Sequence, residues 1–326
     1  MSISPRLRLL GLVVSALYLL GRVVQARMPV AEVVPAATPA LRITSGSVTP
    51  ANQFRFMVHI TIARNNATFE CGGTILSADW ILTAAHCVMA ASPTPTSTSA
   101  TASESSSSSS SLASAQVQPP SQFKVGYGTV VKAELRQVGV SQVLVHPDYS
   151  PQRPSEHDIA LLRLDTPLPA WDDTVAPARI YTSLVHDRQS ATVMGWGLTD
   201  PKKLASFPTE LRHTTVTISN DPTVCRQLYH DFTDSNQDRI CTTDSDGQDT
   251  CQGDSGGPLV VQESEQTNGE WALAGLTSYG NSPSGGPLCG ARDSVAYYTH
   301  AAYYLQFIIM NTQLKWSETL TEFGYV

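Results

Sequence analysis

One ten-residue stretch, Asp249-Thr250-Cys251-Gln252-Gly253-Asp254-Ser255-Gly256-Gly257-Pro258, restricts this chain more than any other. A serine hydroxyl is a poor nucleophile at neutral pH. It needs a base to take its proton and donors to hold the oxyanion that forms. Here Ser255 lies among glycines, and glycine lets the backbone aim successive N–H groups at one point. Gly253 and Ser255 can supply two such groups. A cystine-bearing surface turn would use the same composition, so the stretch needs support from elsewhere in the chain.

Two other stretches supply it. Thr83-Ala84-Ala85-His86-Cys87 follows the apolar run Trp80-Ile81-Leu82, and His157-Asp158 heads the run Ile159-Ala160-Leu161-Leu162-Arg163-Leu164. A carboxylate beside such a strand is costly to bury unless it is partnered. His86, Asp158 and Ser255 follow one another in an order that distinguishes one class of hydrolase from others with the same three residue types. On these motifs the chain, from Ile43 to about Ile308, resembles a trypsin-like serine endopeptidase of the chymotrypsin family, the family from which the general triad template is drawn.

The short strand-like runs separated by turns indicate an all-β protein. The resemblance implies two six-stranded antiparallel Greek-key barrels with the active site between them and a C-terminal helix. It implies His86 as base, Asp158 as the group that orients it, and Ser255 as nucleophile, with the Gly253 and Ser255 N–H groups as oxyanion hole. Asp249, six residues before Ser255, corresponds to a charged pocket floor selecting Arg or Lys. Thr250, Ser278, Gly280 and Ala296 correspond to the remaining substrate-binding positions, Ser278 and Gly280 pairing through their backbones. Three departures bear on the pocket: Ala296 replaces a usual glycine, Thr250 a common serine, and Asn281 to Leu288 is longer than usual. A cut after Arg42 is implied to free the Ile43 amine for pairing with Asp254, although Thr44-Ser45 differs from the common valine-glycine. Cys71 is implied to pair with Cys87, Cys225 with Cys241 and Cys251 with Cys289; six cysteines alone permit fifteen connectivities.

Arg6 and Arg8 precede an apolar run from Leu9 to Leu20, and Val24-Gln25-Ala26 offers a small residue at a cut site. Residues 1–26 therefore read as a signal peptide, with an uncleaved anchor as the alternative. Residues 27–42 read as an activation propeptide and 43–326 as the peptidase domain. Strand residues occupy Phe54 to Ile62, Gly73 to Leu82, Phe123 to Val125, Val138 to Val145, Val193 to Gly197 and Trp271 to Tyr279. Tyr303 to Leu314 has helical apolar spacing. Asn66-Ala67-Thr68 is an N-glycosylation acceptor. Ala90 to Ser121 is Ser/Thr/Pro/Ala-rich, with an unbroken run from Ser105 to Ser111. It reads as a disordered, O-glycosylated insertion or a tether.

Removing residues 1–42 leaves 16 basic and 27 acidic residues, a net charge of −11, which argues against nucleic acid as a partner. The even cysteine count suits an oxidising compartment and a secreted, extracellular protein. There is no Cys-x-x-Cys, the eight histidines are scattered, and Glu134 is the main acid of a short segment, so no metal and no cofactor are expected. The expected partners are protein or peptide substrates and proteinaceous protease inhibitors, with no stable membrane span and a monomeric state. The principal alternative is a non-catalytic, protease-shaped binding protein.

Overall fold

The computed structural model describes residues 46–64, 66–90, 116–200, 203, 206–227, 229–243, 249–263, 270–281, 289 and 294–321. The expected signal peptide, the expected propeptide and residues 91–115 of the expected insertion lie outside these. A two-residue strand β1 (Ser47–Val48) precedes the first barrel. That barrel is built from β2 (Met57–Arg64), β3 (Ala67–Ile75), β4 (Trp80–Thr83), β5 (Phe123–Tyr127), β6 (Arg136–Val145) and β7 (Ala160–Leu164). The strands close in the order β2-β3-β4-β7-β6-β5, with β2 also pairing β5. A short helix α1 (Ala85–Val88) follows β4.

The second half contains β8 (Arg179–Ile180), β9 (Ser190–Gly195), β10 (Arg212–Ser219), the short helix α2 (Pro222–Cys225), β11 (Arg239–Thr243), β12 (Pro258–Gln262), β13 (Trp271–Asn281) and β14 (Val295–His300). Strands β9 to β14, without β8, close through the order β10-β11-β14-β13-β12-β9, and the β9–β10 pairing completes the ring. Strand β1 adds to β10, and β8 lies parallel to β13 over two residue pairs. The molecule is thus two six-stranded antiparallel barrels, as the sequence implied, followed by α3 (Leu305–Thr312) and α4 (Trp316–Thr319).

Apolar runs become strands buried along their length where they line the barrel interior: every residue of β4 is buried, and β7 exposes only Arg163. Arg163 turns outward over the Trp80 ring, 5.9 Å from its centroid. One core cluster includes Ile60, Ile81, Leu161 and Phe123, and another includes Val193, Ile218, Leu259 and Tyr298. The Gly73 to Leu82 run is broken into two strands, because Ser77, Ala78 and Asp79 form a turn in which the Leu76 and Ser77 amides both donate to the Trp80 carbonyl. The terminal helix is shorter than its apolar pattern, since Gln313 adopts a left-handed φ of 57° and caps it by donating to Ile309.

The insertion boundary also needs correction. The Ser/Thr/Pro-rich composition placed it at Ala90 to Ser121, but Gln116 to Ser121 are ordered: Val117 bridges Met89, and Pro120 to Gln122 form a 3₁₀ turn. Composition averages over such a segment and does not register backbone pairing at its edges.

Strand β3 and the loop bearing Ser255 meet backbone to backbone. The Gly72 amide donates to the Ser255 carbonyl at 2.7 Å, and Gly256 donates to the Thr277 carbonyl on β13 at 2.7 Å. A Cβ on Gly72 would lie 2.7 Å from the Gly257 Cα, inside contact distance. Gly72→Ala is therefore expected to lower stability by about 2 kcal/mol or more, because neither backbone can yield as a side chain would. Denaturant titration checks this; an unchanged midpoint would show that the two segments part without cost.

Candidate active site

The sequence places its candidate base and acid 72 residues apart, and the fold brings them together. Asp158 sits just before β7 and is wholly buried. One carboxylate oxygen accepts from the His86 backbone amide at 2.9 Å, and the other lies 2.7 Å from His86 Nδ1. From the second barrel, the Ser278 hydroxyl donates to that second oxygen at 2.6 Å. Thr299 Oγ1 donates to the Asp158 carbonyl at 2.8 Å. The sequence assigned Ser278 only a backbone role. Nothing within Ser278-Tyr279-Gly280 signals that its hydroxyl meets an acid 120 residues earlier, so that contact was missed.

Burial disfavours the His86 cation, but the charge and the hydrogen bond of Asp158 outweigh it and raise the imidazole above its usual pKa. The ring keeps 29% exposure, so it is reachable from solvent. Ser255 is half-buried on the adjoining loop. Its hydroxyl makes no hydrogen bond to His86 among the described residues; His86 Nε2 instead lies 3.8 Å from the Cys87 sulfur. Gly253 and Gly256 take φ of +100° and +74°, a region that only glycine enters easily. Among the described residues the Gly253 and Ser255 N–H groups donate to no other backbone carbonyl, leaving both open beside the hydroxyl. Phe207 packs close to Gly253: a Cβ there would sit 3.3 Å from the phenyl edge.

A cavity of about 190 Å³ opens at this loop, lined by Thr250, Ser255, Ser278, Tyr279, Gly280 and the Cys251–Cys289 disulfide among others. Asp249 and Ala296 are not among the described residues that line it. Asp249 is buried, accepting from the Thr250 amide at 2.7 Å and from the Ser294 hydroxyl at 3.4 Å. Ala296 is buried on β14 opposite Gly280. A larger groove of about 830 Å³ runs between the stacked His146–His157 pair and α3. It contains none of His86, Asp158 or Ser255, whereas Ser255 lines the smaller cavity. The other two disulfides join Cys71 with Cys87 and Cys225 with Cys241. Among the described residues the one grouping of three metal-ligating side chains is Cys71, His86 and Cys87, whose sulfurs are already bonded to each other. Asn66 is exposed, with φ of +61°, in the loop between the paired residues Arg64 and Ala67.

The trypsin family model matches residues 43–308. The chain belongs to the trypsin-like serine protease family. Clotting factor C of Tachypleus tridentatus is 30% identical over 284 residues, covering 82% of this chain and 25% of that protein. Ovochymase of Halocynthia roretzi is 27% identical over 287 residues, covering 87% of this chain and 16% of that protein. Phenoloxidase-activating factor 3 of Holotrichia diomphalia is 28% identical, covering 84% of this chain and 73% of that protein. The chain thus spans a quarter or less of the first two. The solved structure of neuropsin, a serine protease expressed in the limbic system of mouse brain, superposes with a TM-score of 0.59 at 24% identity, covering 82% of this chain and 98% of that one, and supports the fold.

In this member of the trypsin-like family, a second carboxylate lies beneath the Ser255 loop. Asp254 is wholly buried and accepts from the Gly197 and Cys251 amides, each at 2.8 Å. A Cβ on Gly195 or Gly197 would collide with it, which accounts for the glycines flanking Trp196. No cation pairs with Asp254 among the described residues, and Arg42 and Ile43 lie outside them. Burial outweighs the two amides and pushes its pKa up to about 6. A carboxyl whose folded pKa is raised holds its proton more tightly than the unfolded chain does, so stability falls as pH rises from about 4 to 6. The loss amounts to about 3 kcal/mol at neutral pH. In the uncut protein, Asp254→Asn is expected to flatten this decline. Melting curves from pH 4 to 7 check it; an unchanged slope would mean that Asp254 is not the group responsible.

Proposed function

We propose that the protein is a secreted serine endopeptidase, made as a zymogen, that hydrolyses peptide bonds after Arg or Lys. The observation that carries this reading is the buried Asp158 carboxylate locked onto His86 Nδ1, beside a serine loop with two open N–H groups. An imidazole held at Nδ1 by a carboxylate presents Nε2 as the basic nitrogen. Bound substrate would bring Ser255 Oγ within reach of that nitrogen, since such contacts tighten in the reacting complex. His86 takes the hydroxyl proton as the oxygen attacks the peptide carbonyl, and Gly253 and Ser255 N–H receive the oxyanion. The leaving amine takes the proton from His86. Water, deprotonated by the same nitrogen, then hydrolyses the acyl-enzyme and frees Ser255.

Asp249 would act as the charge that draws Arg or Lys into the cavity. A negative charge near the cavity favours a cationic side chain over an apolar one. Ala296, opposite Gly280, would narrow the same space. Cleavage after Arg42 would free the Ile43 amine to pair with Asp254, giving the buried carboxylate its cation and ordering the loop above it. Three disulfides fit an oxidising compartment, and no helix among the described residues is long and apolar enough to cross a membrane. Residues 1–26 would serve as the signal peptide, exposed Asn66 would carry a glycan, and a monomer suffices for the chemistry.

Profiling the Arg42-cleaved protein on a peptide library tests the specificity. Cuts after Arg and Lys are expected, and Asp249→Ser should abolish that preference while Ser255 still reacts with a small inhibitor. Unchanged cleavage after Arg in that variant would remove Asp249 from the pocket. Because the His86 pKa is raised, kcat/KM is expected to climb with pH through a midpoint above the ordinary value of about 6.5. A flat profile from about pH 5 to 8 would contradict His86 as base.

A further inference from the structure

Helix α1 carries His86 and ends at Val88, with Met89 as its extended C-cap. Residues 91–115 then connect Ala90 to Gln116, and the two ends of this connection are fastened together. The Ala90 amide donates to the Gln116 carbonyl at 2.9 Å, the Gln118 amide donates to the Val88 carbonyl at 2.9 Å, and Met89 bridges Val117. Arg64, the last residue of β2, reaches across this stem. Its Nη2 donates to the Met89 carbonyl at 2.7 Å and its Nε to Gln118 Oε1 at 3.1 Å, while Gln118 Nε2 donates to the same Met89 carbonyl at 3.3 Å. The result is a closed triangle of hydrogen bonds with one corner on each side of the stem. Gln118 is buried, and the guanidinium lies 4.9 Å from the Phe69 ring centroid. No carboxylate forms an ion pair with Arg64 among the described residues, and its Nε and Nη2 each donate to one side of the stem.

We propose that Arg64 is a positioning residue for His86: it holds the Met89–Gln118 stem shut at the C-terminal end of α1. The role at His86 rests on the peptidase reading given above. Closing a loop costs more as the loop lengthens; among the described residues, the two backbone bonds that make up the Met89–Val117 bridge and the Gln118 Nε2–Met89 bond are what close this one without Arg64. A planar fork can hold two acceptors at once, which a lysine ammonium or an apolar side chain in its place would not do as well. If the stem opens, the bond from Gln118 to Val88 is lost, two residues from His86. The Cys71–Cys87 disulfide limits the damage, so the expected consequence is a misaligned imidazole in a folded protein.

The test compares Arg64→Met in the full chain and in a chain where residues 91–115 are replaced by Asn-Gly. Amide hydrogen exchange at Ala90 and Gln118 and the kinetics of the Arg42-cleaved protein are read in all four proteins. In the full chain the substitution is expected to speed exchange at both amides about tenfold or more and to lower kcat about fivefold with little change in KM. In the shortened chain both effects should shrink to within about twofold. Unaltered exchange in the full chain, or equal effects in the two chains, would overturn the clamp. Faster exchange with unchanged kcat would overturn its role at His86. A parent protein that hydrolyses nothing would sink the peptidase reading, and the exchange comparison would still decide for or against the clamp.

Discussion

The Asp158 carboxylate is the contact on which the arrangement depends. It is completely buried, and a bare charge there would be untenable. Two donors from His86 in the first barrel and one hydroxyl from Ser278 in the second satisfy it, while Thr299, also in the second, holds its carbonyl. The same bonds that make the charge tolerable fix the imidazole and couple the barrels at the cleft. Hydrogen bonds to a charged group are stronger than neutral ones, and losing one inside a protein leaves an expensive remainder. Stability and chemistry therefore rest on the same few atoms.

Asp254 presents the opposite condition. It is equally buried, yet it has two amide donors and no cation among the described residues, and burial dominates its titration. The loop above it carries Gly253 and Ser255. Among the described residues one buried carboxylate is satisfied and holds His86, while the other, next to Ser255, has no counter-charge. An activation step that delivers an amine to the second would complete an electrostatic arrangement that the first already has, and this is the physical sense of the zymogen proposal.

Much of this was legible in the sequence. Apolar runs broken by turn residues gave an all-β chain, and the three motifs around His86, Asp158 and Ser255 carried the family and its two barrels. The disulfides join the cysteines that the resemblance implied. What was not legible depends on distant side chains meeting in space. The Ser278 hydroxyl looks like any strand serine until β13 is laid against the first barrel. Asp249 reads as a pocket floor, but the bonds it accepts from the Thr250 amide and the Ser294 hydroxyl are not signalled by its neighbours in the chain. The stem at Met89 and Gln118 was hidden because Val117 and Gln118 sit in a segment whose composition is that of its neighbours. The role of Arg64 follows only from the backbone carbonyl it reaches, and a carbonyl has no signature in a sequence.

The central claim is that the Asp158–His86 pair activates Ser255, and covalent labelling tests it most directly. The Arg42-cleaved protein would be treated at about pH 8, above the His86 midpoint, with a serine-reactive phosphonate, and the adduct mapped by mass spectrometry. A single stoichiometric adduct on Ser255, lost in His86→Ala and strongly slowed in Asp158→Asn, is the predicted result. An unlabelled Ser255, or labelling that persists without His86, would contradict it.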